Sequence, residues 1–403
     1  LAYTNPAAAR KLLRFRYQLL PAARERATEL SLDGALYPWR TINGEEASAY
    51  YAAGTAQVHI NAAIVYALER YLNATADLGF LSDEGAEMLV ETARMYEDLG
   101  FYAADGNGGK DGRFHIHSVT GPDEYTTVVN DNTYTHLMAR FTMRYAATSV
   151  TSLQEWDPAA YDTLVRRTGV TDDEIAGWHR ACDAMYIPYD DELGIHPQDE
   201  AFLDRERWDF DGTPDEHYPL LLHYHPLMIY RYQVLKQADV VLAMFLRRDQ
   251  DVFDVDTMRR NFDYYDPLTT GDSSLSACVQ SIMAAEVGYP DLAWRYFEQA
   301  LYLDLADSHE NTADGVHVAN TGGVWAALVH GFAGFRDTGH ELQFTPRLPG
   351  AWDSLTFRLV RHASQIEVAV SAEGATITLL SGEPVPIRVG DDVELVGPDE
   401  PVT

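Results

Sequence analysis

Residues 55–98 read TAQVHINAAIVYALERYLNATADLGFLSDEGAEMLVETARMYED and hold two helical patterns of opposite character. In the first, Thr55–Asn73, the residues Val58, Ile60, Ala62, Ala63, Tyr66 and Leu68 leave almost no polar side, and a helix apolar nearly all round belongs to an interior. In the second, Leu81–Asp98, the apolar Leu89, Val90, Ala93 and Met95 gather inward while Glu84, Glu87, Glu91 and Glu97 point outward, the pattern of a helix half in water. The contrast predicts alternating inner and outer helices.

The same alternation runs on either side. Residues 6–29 read as helix, with Leu12, Leu13, Phe15, Leu19 and Leu20 on an apolar side and Pro21 forcing a kink or a fresh start. Helices are expected at 132–149, 158–168 and 172–186, then an apolar inner helix Lys236–Arg247 and an outer one Asp254–Tyr265. Leu275–Val287, Asp291–Leu303 and Val324–Phe332 follow. That makes about eleven helical segments by periodicity. Twelve close an (α/α)6 barrel, so the expectation is such a barrel over residues 1–338, lacking one or two opening helices. After Thr338 the period changes to short strands at 342–344, 355–359, 365–370, 376–380, 386–389 and 393–396, separated by Gly, Pro and Asp turns. Residues 339–403 are read as a small antiparallel β-sandwich.

A chain of 403 residues with 46% hydrophobic content can bury a large core. Its net charge of −32 argues against nucleic acid and anionic membranes as partners. Three lysines occur, Lys11, Lys110 and Lys236. Lys236 falls in an apolar run, where a charge costs several kcal/mol unless it is partnered. Cys182 and Cys278 are far apart within helical patterns and fit buried thiols. No 18-residue apolar run and no signal peptide is visible, which favours a reducing cytoplasm.

The chemistry gathers in residues 115–134, HIHSVTGPDEYTTVVNDNTY. The Gly-Pro pair sets Glu124 on a loop, and a carboxyl among aromatic and imidazole groups is a setting for an acid useful at neutral pH. An acidic surface turn is the competing reading. Asn130, Asp131 and Asn132 offer caps to the next helix. His115 and His117 alternate as on a strand edge, and a metal site there needs more converging ligands; no metal is expected. Trp39 and Arg40 form either a sugar platform or a loop anchored by a buried indole. Glu45 and Glu46 either line the same mouth or form a solvated pair. His59 is either a core histidine or a site residue. The loop 105–112 fails the phosphate-loop spacing. The segment 186–232, with His196, His217, His223 and His225, is long enough to be a packed lid. Ser273 and Ser274 precede a helix, where hydroxyls and free N–H groups suit an anion, although Asp272 or Ser273 acting as a simple cap fits equally. Gly322 and Gly323 permit close backbone approach, with His317 just before them.

Five blocks together resemble glycoside hydrolase family 65: residues 37–61 (YPWRTINGEEASAYYAAGTAQVHIN), 121–140 (GPDEYTTVVNDNTYTHLMAR), 236–245 (KQADVVLAMF), 270–276 (TGDSSLS) and 314–325 (DGVHVANTGGVW). The first block is closer to the trehalose and kojibiose type than to the maltose type. The resemblance implies an inverting phosphorylase of an α-linked glucose disaccharide, with Glu124 as general acid and Lys236 and Gln237 on the transferred glucose. It implies Ser273, Ser274 and His317 on phosphate, which is a co-substrate; no cofactor is implied. It also implies a homodimer. Many members have His-Asp-Ser-Ser where this chain has Gly271-Asp272-Ser273-Ser274. Members also carry an N-terminal β-sandwich and a Trp-Asp glucose clamp not found here, so the chain resembles a C-terminal portion. An inverting hydrolase on the same scaffold needs a second carboxylate, for which Asp272 and Glu310 are candidates. A non-catalytic sugar-binding module is the third reading.

Overall fold

The computed structural model describes residues 1–48, 55–103, 112–248, 252–389, 392–398 and 401–402. Lys110, Gly54 and nearly all of the loop 105–112 therefore lie outside the described residues. The first helical stretch divides as Pro21 requires, into Pro6–Gln18 and Leu20–Glu29. Asn5 opens it, its side chain accepting from the Ala8 amide. The inner helix begins at Ile60, later than its apolar pattern, and runs to Thr75. Ala76, in the left-handed conformation (φ 52°), ends it.

Helix Ile60–Thr75 packs on Thr133–Trp156, which packs on Val240–Leu246. That helix packs on Ser276–Val287, and Ser276–Val287 on the π-helical stretch Ala327–Phe332. Outside them lie Ala86–Leu99, Asp172–Ala184, Val255–Tyr265 and Pro290–Tyr302. One apolar cluster, including Leu68, Leu89, Met138, Met244, Phe262 and Ile282, runs through both sets. Each such side chain contributes roughly 1.5–3 kcal/mol on burial. The chain is thus helix-rich, with a small sheet region at its C-terminal end.

Two expectations about helices need correction. Glu84, Glu87 and Glu91 do not face water but are 5–8% exposed. Arg14 pairs with Glu84, Arg24 with both Glu87 and Glu91, and Arg94 with Glu91 and Glu174. The outward face of Ala86–Leu99 is covered by the first two helices, whose arginines compensate the buried carboxylates. The second correction concerns Lys236–Arg247, where helix begins only at Val240. Lys236 and Gln237 sit on the preceding loop, because Leu235 is drawn into a parallel bridge with Thr269.

The C-terminal strands fall where the alternation put them, but they are not all antiparallel. Ser354–Arg361, Ser364–Ser371 and Gly374–Ser381 form an antiparallel meander. A second sheet has the order 392–396, 385–389, 342–343, 336–337, and in it Leu342 pairs with Ile387 in parallel. The chain leaves this sheet after Gln343 to build the meander and rejoins it at Val385 in the same direction. Buried residues of both sheets share one cluster with Tyr3 and Ala74. Between the two sheets, Arg361 of the meander, 1% exposed, pairs with Asp337 of the strand 336–337 at 2.5 Å.

Candidate active site

The segments that lead into the inner helices meet one another. The Thr120 amide donates to Ala56 O. The Lys236 amide donates to Asp123 Oδ1 (2.8 Å), and Ser276 Oγ to Lys236 O (3.3 Å). The inner helices therefore start at one end of the molecule, where most of the predicted groups stand.

Glu124 is 15% exposed, and its Oε2 lies 2.5 Å from Lys236 Nζ. Gln57 Nε2 donates to its other oxygen at 3.4 Å. The partner that an apolar setting demands of Lys236 is thus the candidate acid itself. Gln237 donates its side-chain amide to Pro122 O, which fixes the turn carrying Glu124.

Behind this turn lie two buried acids that the sequence reading passed over, Asp123 and Asp239. Asp123 accepts from the Lys236 amide, the Tyr125 amide (3.1 Å) and Gln198 Nε2 (3.0 Å). Asp239 accepts from Asn132 Nδ2 at 3.3 Å and from the Asp123 amide at 3.4 Å. A Cβ at Gly121 would overlap Asp239 and Asn132, so only glycine lets the turn lie against them. Burial pushes the Asp123 carboxyl up to about 6 against the hydrogen bonds that lower it. Burial first, and then the Asp123 charge, push Asp239 well above the carboxylate range. The folded chain therefore keeps protons that the unfolded chain releases between about pH 4 and pH 6. These acids add stability as pH falls through that window and lose it as pH rises. Asp239→Asn removes the mutual repulsion, so it should stabilise the chain relative to the parent at pH 7, with the difference shrinking toward pH 4. Urea unfolding at pH 4, 5, 6 and 7 measures this.

On the other side, Asp272 Oδ2 accepts from the Tyr125 hydroxyl and from the Leu220 amide. It ties the Ser273–Ser274 segment to the Glu124 turn and to the 186–232 segment. That segment packs Trp208, Leu220 and Ile229, with Val234 just beyond it, around Tyr125, so it is packed rather than open. Ser273 Oγ accepts from the Leu275 amide, a local turn rather than a cap, and Ser273 and Ser274 are both half-buried. His317 ends the loop before helix Val318–Ala326, its Nδ1 bonded to Asp304 Oδ1 at 2.6 Å. That helix begins earlier than expected and takes in Gly322 and Gly323. Gly323 lies so close to Cys278 that a Cβ there would overlap its sulfur. The close approach is helix on helix, near the start of Ser276–Val287. Cys182 and Cys278 are both buried free thiols.

Trp39 is half-buried and meets His59 edge-on at 5.2 Å; His59 meets Tyr134 at 5.5 Å. His59 is 4% exposed with Nδ1 on Thr120 O, and burial pushes it down to about 4, so it is a neutral core histidine under the Glu124 turn. Arg40 is exposed. Glu46 does not line a mouth. Its carboxylate accepts from the Trp39 and Arg40 amides and pairs with Arg26, holding the loop. Glu310 is exposed.

His115, His117 and Asp131 do converge, with ligand atoms within 4.8 Å of one another, a spacing able to hold a cation. Asp131 is already engaged by His115 Nδ1 at 3.0 Å. Asn132 is the helix cap, accepting from the Thr135 amide. His196 and His217 serve packing and hydrogen bonds, to Pro188 O and to the Tyr224 hydroxyl. Cavities of 200–660 Å3 occur in the chain, and their walls are built from other residues than Glu124.

Residues 1–326 match the Glycosyl hydrolase family 65 central catalytic domain, and residues 335–395 match the C-terminal domain of that family. The alpha,alpha-trehalose phosphorylase of Geobacillus stearothermophilus is 49% identical over 400 residues, 99% of this chain and 51% of that protein. The kojibiose phosphorylase of Halothermothrix orenii is 32% identical over 395 residues, 94% of this chain and 50% of that protein. A solved structure from the human microbiome, with a provisional kojibiose phosphorylase assignment, superposes with a TM-score of 0.88 at 31% identity. The match covers all of this chain and 57% of that one. The chain spans about half the length of the curated relatives it matches.

Proposed function

The chain belongs to glycoside hydrolase family 65, and from that premise we propose that it carries the acid and the phosphate-binding groups of an inverting disaccharide phosphorylase. Its helices are read as those of an (α/α)6 barrel, with the site at the end where the inner helices begin. Glu124 gives its proton to the glycosidic oxygen of an α-linked glucose disaccharide. Inorganic phosphate attacks C1 from the opposite face, the C1–O bond breaks toward the leaving sugar, and the products are β-glucose 1-phosphate and a free sugar. Lys236 leaves Glu124 for a sugar hydroxyl as substrate enters, and Gln237 holds the turn. Ser273, Ser274 and His317 receive phosphate, and Trp39 and Arg40 border the second sugar. Trehalose is the preferred substrate, because the trehalose phosphorylase is 49% identical where the kojibiose enzyme is 32%.

The observation that carries this reading is that Glu124 is held on its turn by Lys236, while Asp272, a candidate second carboxylate, is already committed to Tyr125 and Leu220. An inverting hydrolase needs a second carboxylate free to activate water, roughly 6.5–9.5 Å away. Phosphate is itself a charged nucleophile and needs none. Incubation with trehalose, kojibiose or maltose, with and without phosphate, tests it. Glucose 1-phosphate should form only when phosphate is present; release of free glucose at a rate indifferent to phosphate would reject phosphorolysis. The combined Ser273→Ala and Ser274→Ala variant should raise the KM for phosphate by about 100-fold or more, two hydrogen bonds to a charged group being lost at about 1.5–3 kcal/mol each. The KM for the disaccharide should move little, and initial rates against each substrate separate the two.

A further inference from the structure

A second concentration of charge lies at the far ends of the same helices. Arg70 is in the last turns of Ile60–Thr75, and Arg248 stands just past the end of Val240–Leu246. Ten residues of helix put Arg70 about 15 Å along the axis from the end that carries His59 and the Glu124 turn. There, a cavity of about 380 Å3 is lined by Tyr66, Arg70, Arg248, His330, Arg336 and Gln343, among others.

Its charges do not balance among the described residues. Arg248, Arg336 and Arg347 all pair with one carboxylate, Glu286, which is 3% exposed. Three guanidiniums on one carboxylate leave a local surplus of two positive charges in a chain whose net charge is −32. Arg70 is matched by Glu69, and Arg361 by Asp337. Arg248 is nine-tenths buried. Its Nε donates to Phe245 O and its Nη1 to Glu286, and Nη2 is buried with no hydrogen-bond partner. Burial, and the charges of Arg336 and Arg347, push its pKa down to about 10. Burial, with Arg248 and Arg70, pushes His330 down to about 3, so that histidine adds no charge. An unpaired N–H on a buried guanidinium is costly unless an acceptor reaches it.

We propose that this cavity is a second anion site that binds an oxyanion, a phosphate ester or a carboxylate, between Arg248 and Arg336. The site is distinct from the phosphate position beside Glu124, being at the other end of the inner helices. A guanidinium fork suits a planar or tetrahedral oxyanion, and Arg336, 34% exposed, gives it a way in from solvent. The oxyanion can be a free ion, or the acidic side chain of a protein segment.

Calorimetric titration with inorganic phosphate and with N-acetyl-aspartate amide tests this. The background is the Ser273→Ala and Ser274→Ala variant, so that the proposed catalytic phosphate position does not report. At least one probe should bind there, and adding Arg336→Gln should weaken it by about tenfold or more. Tighter phosphate identifies a free oxyanion, and tighter aspartate amide an acidic side chain; either supports the site. Arg336 is exposed enough for its replacement to leave the fold intact, which a thermal melt checks, and Arg347→Gln is the second variant. No binding by either probe, or binding indifferent to both arginine variants, overturns the proposal. Neither outcome bears on the phosphorolysis assay.

Discussion

Glu124→Gln is expected to lower turnover of the natural disaccharide by about 10²–10⁴-fold, the usual contribution of a positioned proton donor. The amide matches the carboxyl in size, and the side chain sits at the rim of the core at 15% exposure, so the fold should survive. An amide cannot release a proton to the leaving oxygen. Its carbonyl can still accept from Lys236 or from Gln57, which both donate to the carboxylate. Substrate binding should therefore change little, and the loss should appear in kcat. The control is α-glucosyl fluoride with phosphate, since fluoride leaves without a full proton transfer. The variant should keep most of its rate on that substrate. An equal loss on both substrates would make Glu124 a positioning group and remove the acid from the mechanism.

Glu124 was legible as a candidate because Gly121 and Pro122 break regular structure beside it, and because five separate blocks resemble one family. The groups that hold it were harder to see. Lys236 drew notice as a charge in an apolar run, yet Asp239, three residues on, meets the same criterion and was passed over. Its partner Asp123 stands next to the acid. Sequence order gives no sign that two loops more than a hundred residues apart lay their carboxylates together. The glutamates of 84–91 misled for a related reason. An amphipathic pattern shows which face is polar, but not whether water or a row of arginines covers it. Arg14 and Arg24 belong to a helix read for its leucines. Strand positions in the sheet region came from period-2 alternation, which is local. The parallel pairing of Leu342 with Ile387 is a long-range fact that alternation does not carry. Gln57, which touches Glu124, lay inside a quoted block and had no chemistry of its own to mark it.

The largest effect on stability in the site should come from Asp123→Ala. Three donors, the amides of Lys236 and Tyr125 and Gln198 Nε2, converge on this fully buried carboxylate. Each loses its acceptor when the side chain is cut back, and a buried donor left unsatisfied costs about 1–3 kcal/mol. A loss of about 3–5 kcal/mol in urea unfolding at pH 7 is expected, allowing for partial rescue by water. Asp239→Asn should instead stabilise the chain at this pH, since it keeps an acceptor for Asn132 and removes a like charge. The contrast between the two is the test. Asp123 fastens the loop of Lys236 to the turn of Glu124, whereas Asp239 bears the raised pKa that burial and the Asp123 charge impose on it. If Asp123→Ala unfolds no more easily than Asp239→Asn, the two loops are held by something other than this carboxylate. If it does unfold more easily, catalysis should fall with it under conditions where the variant is still folded, because the donor and its lysine partner are then no longer fixed to one another.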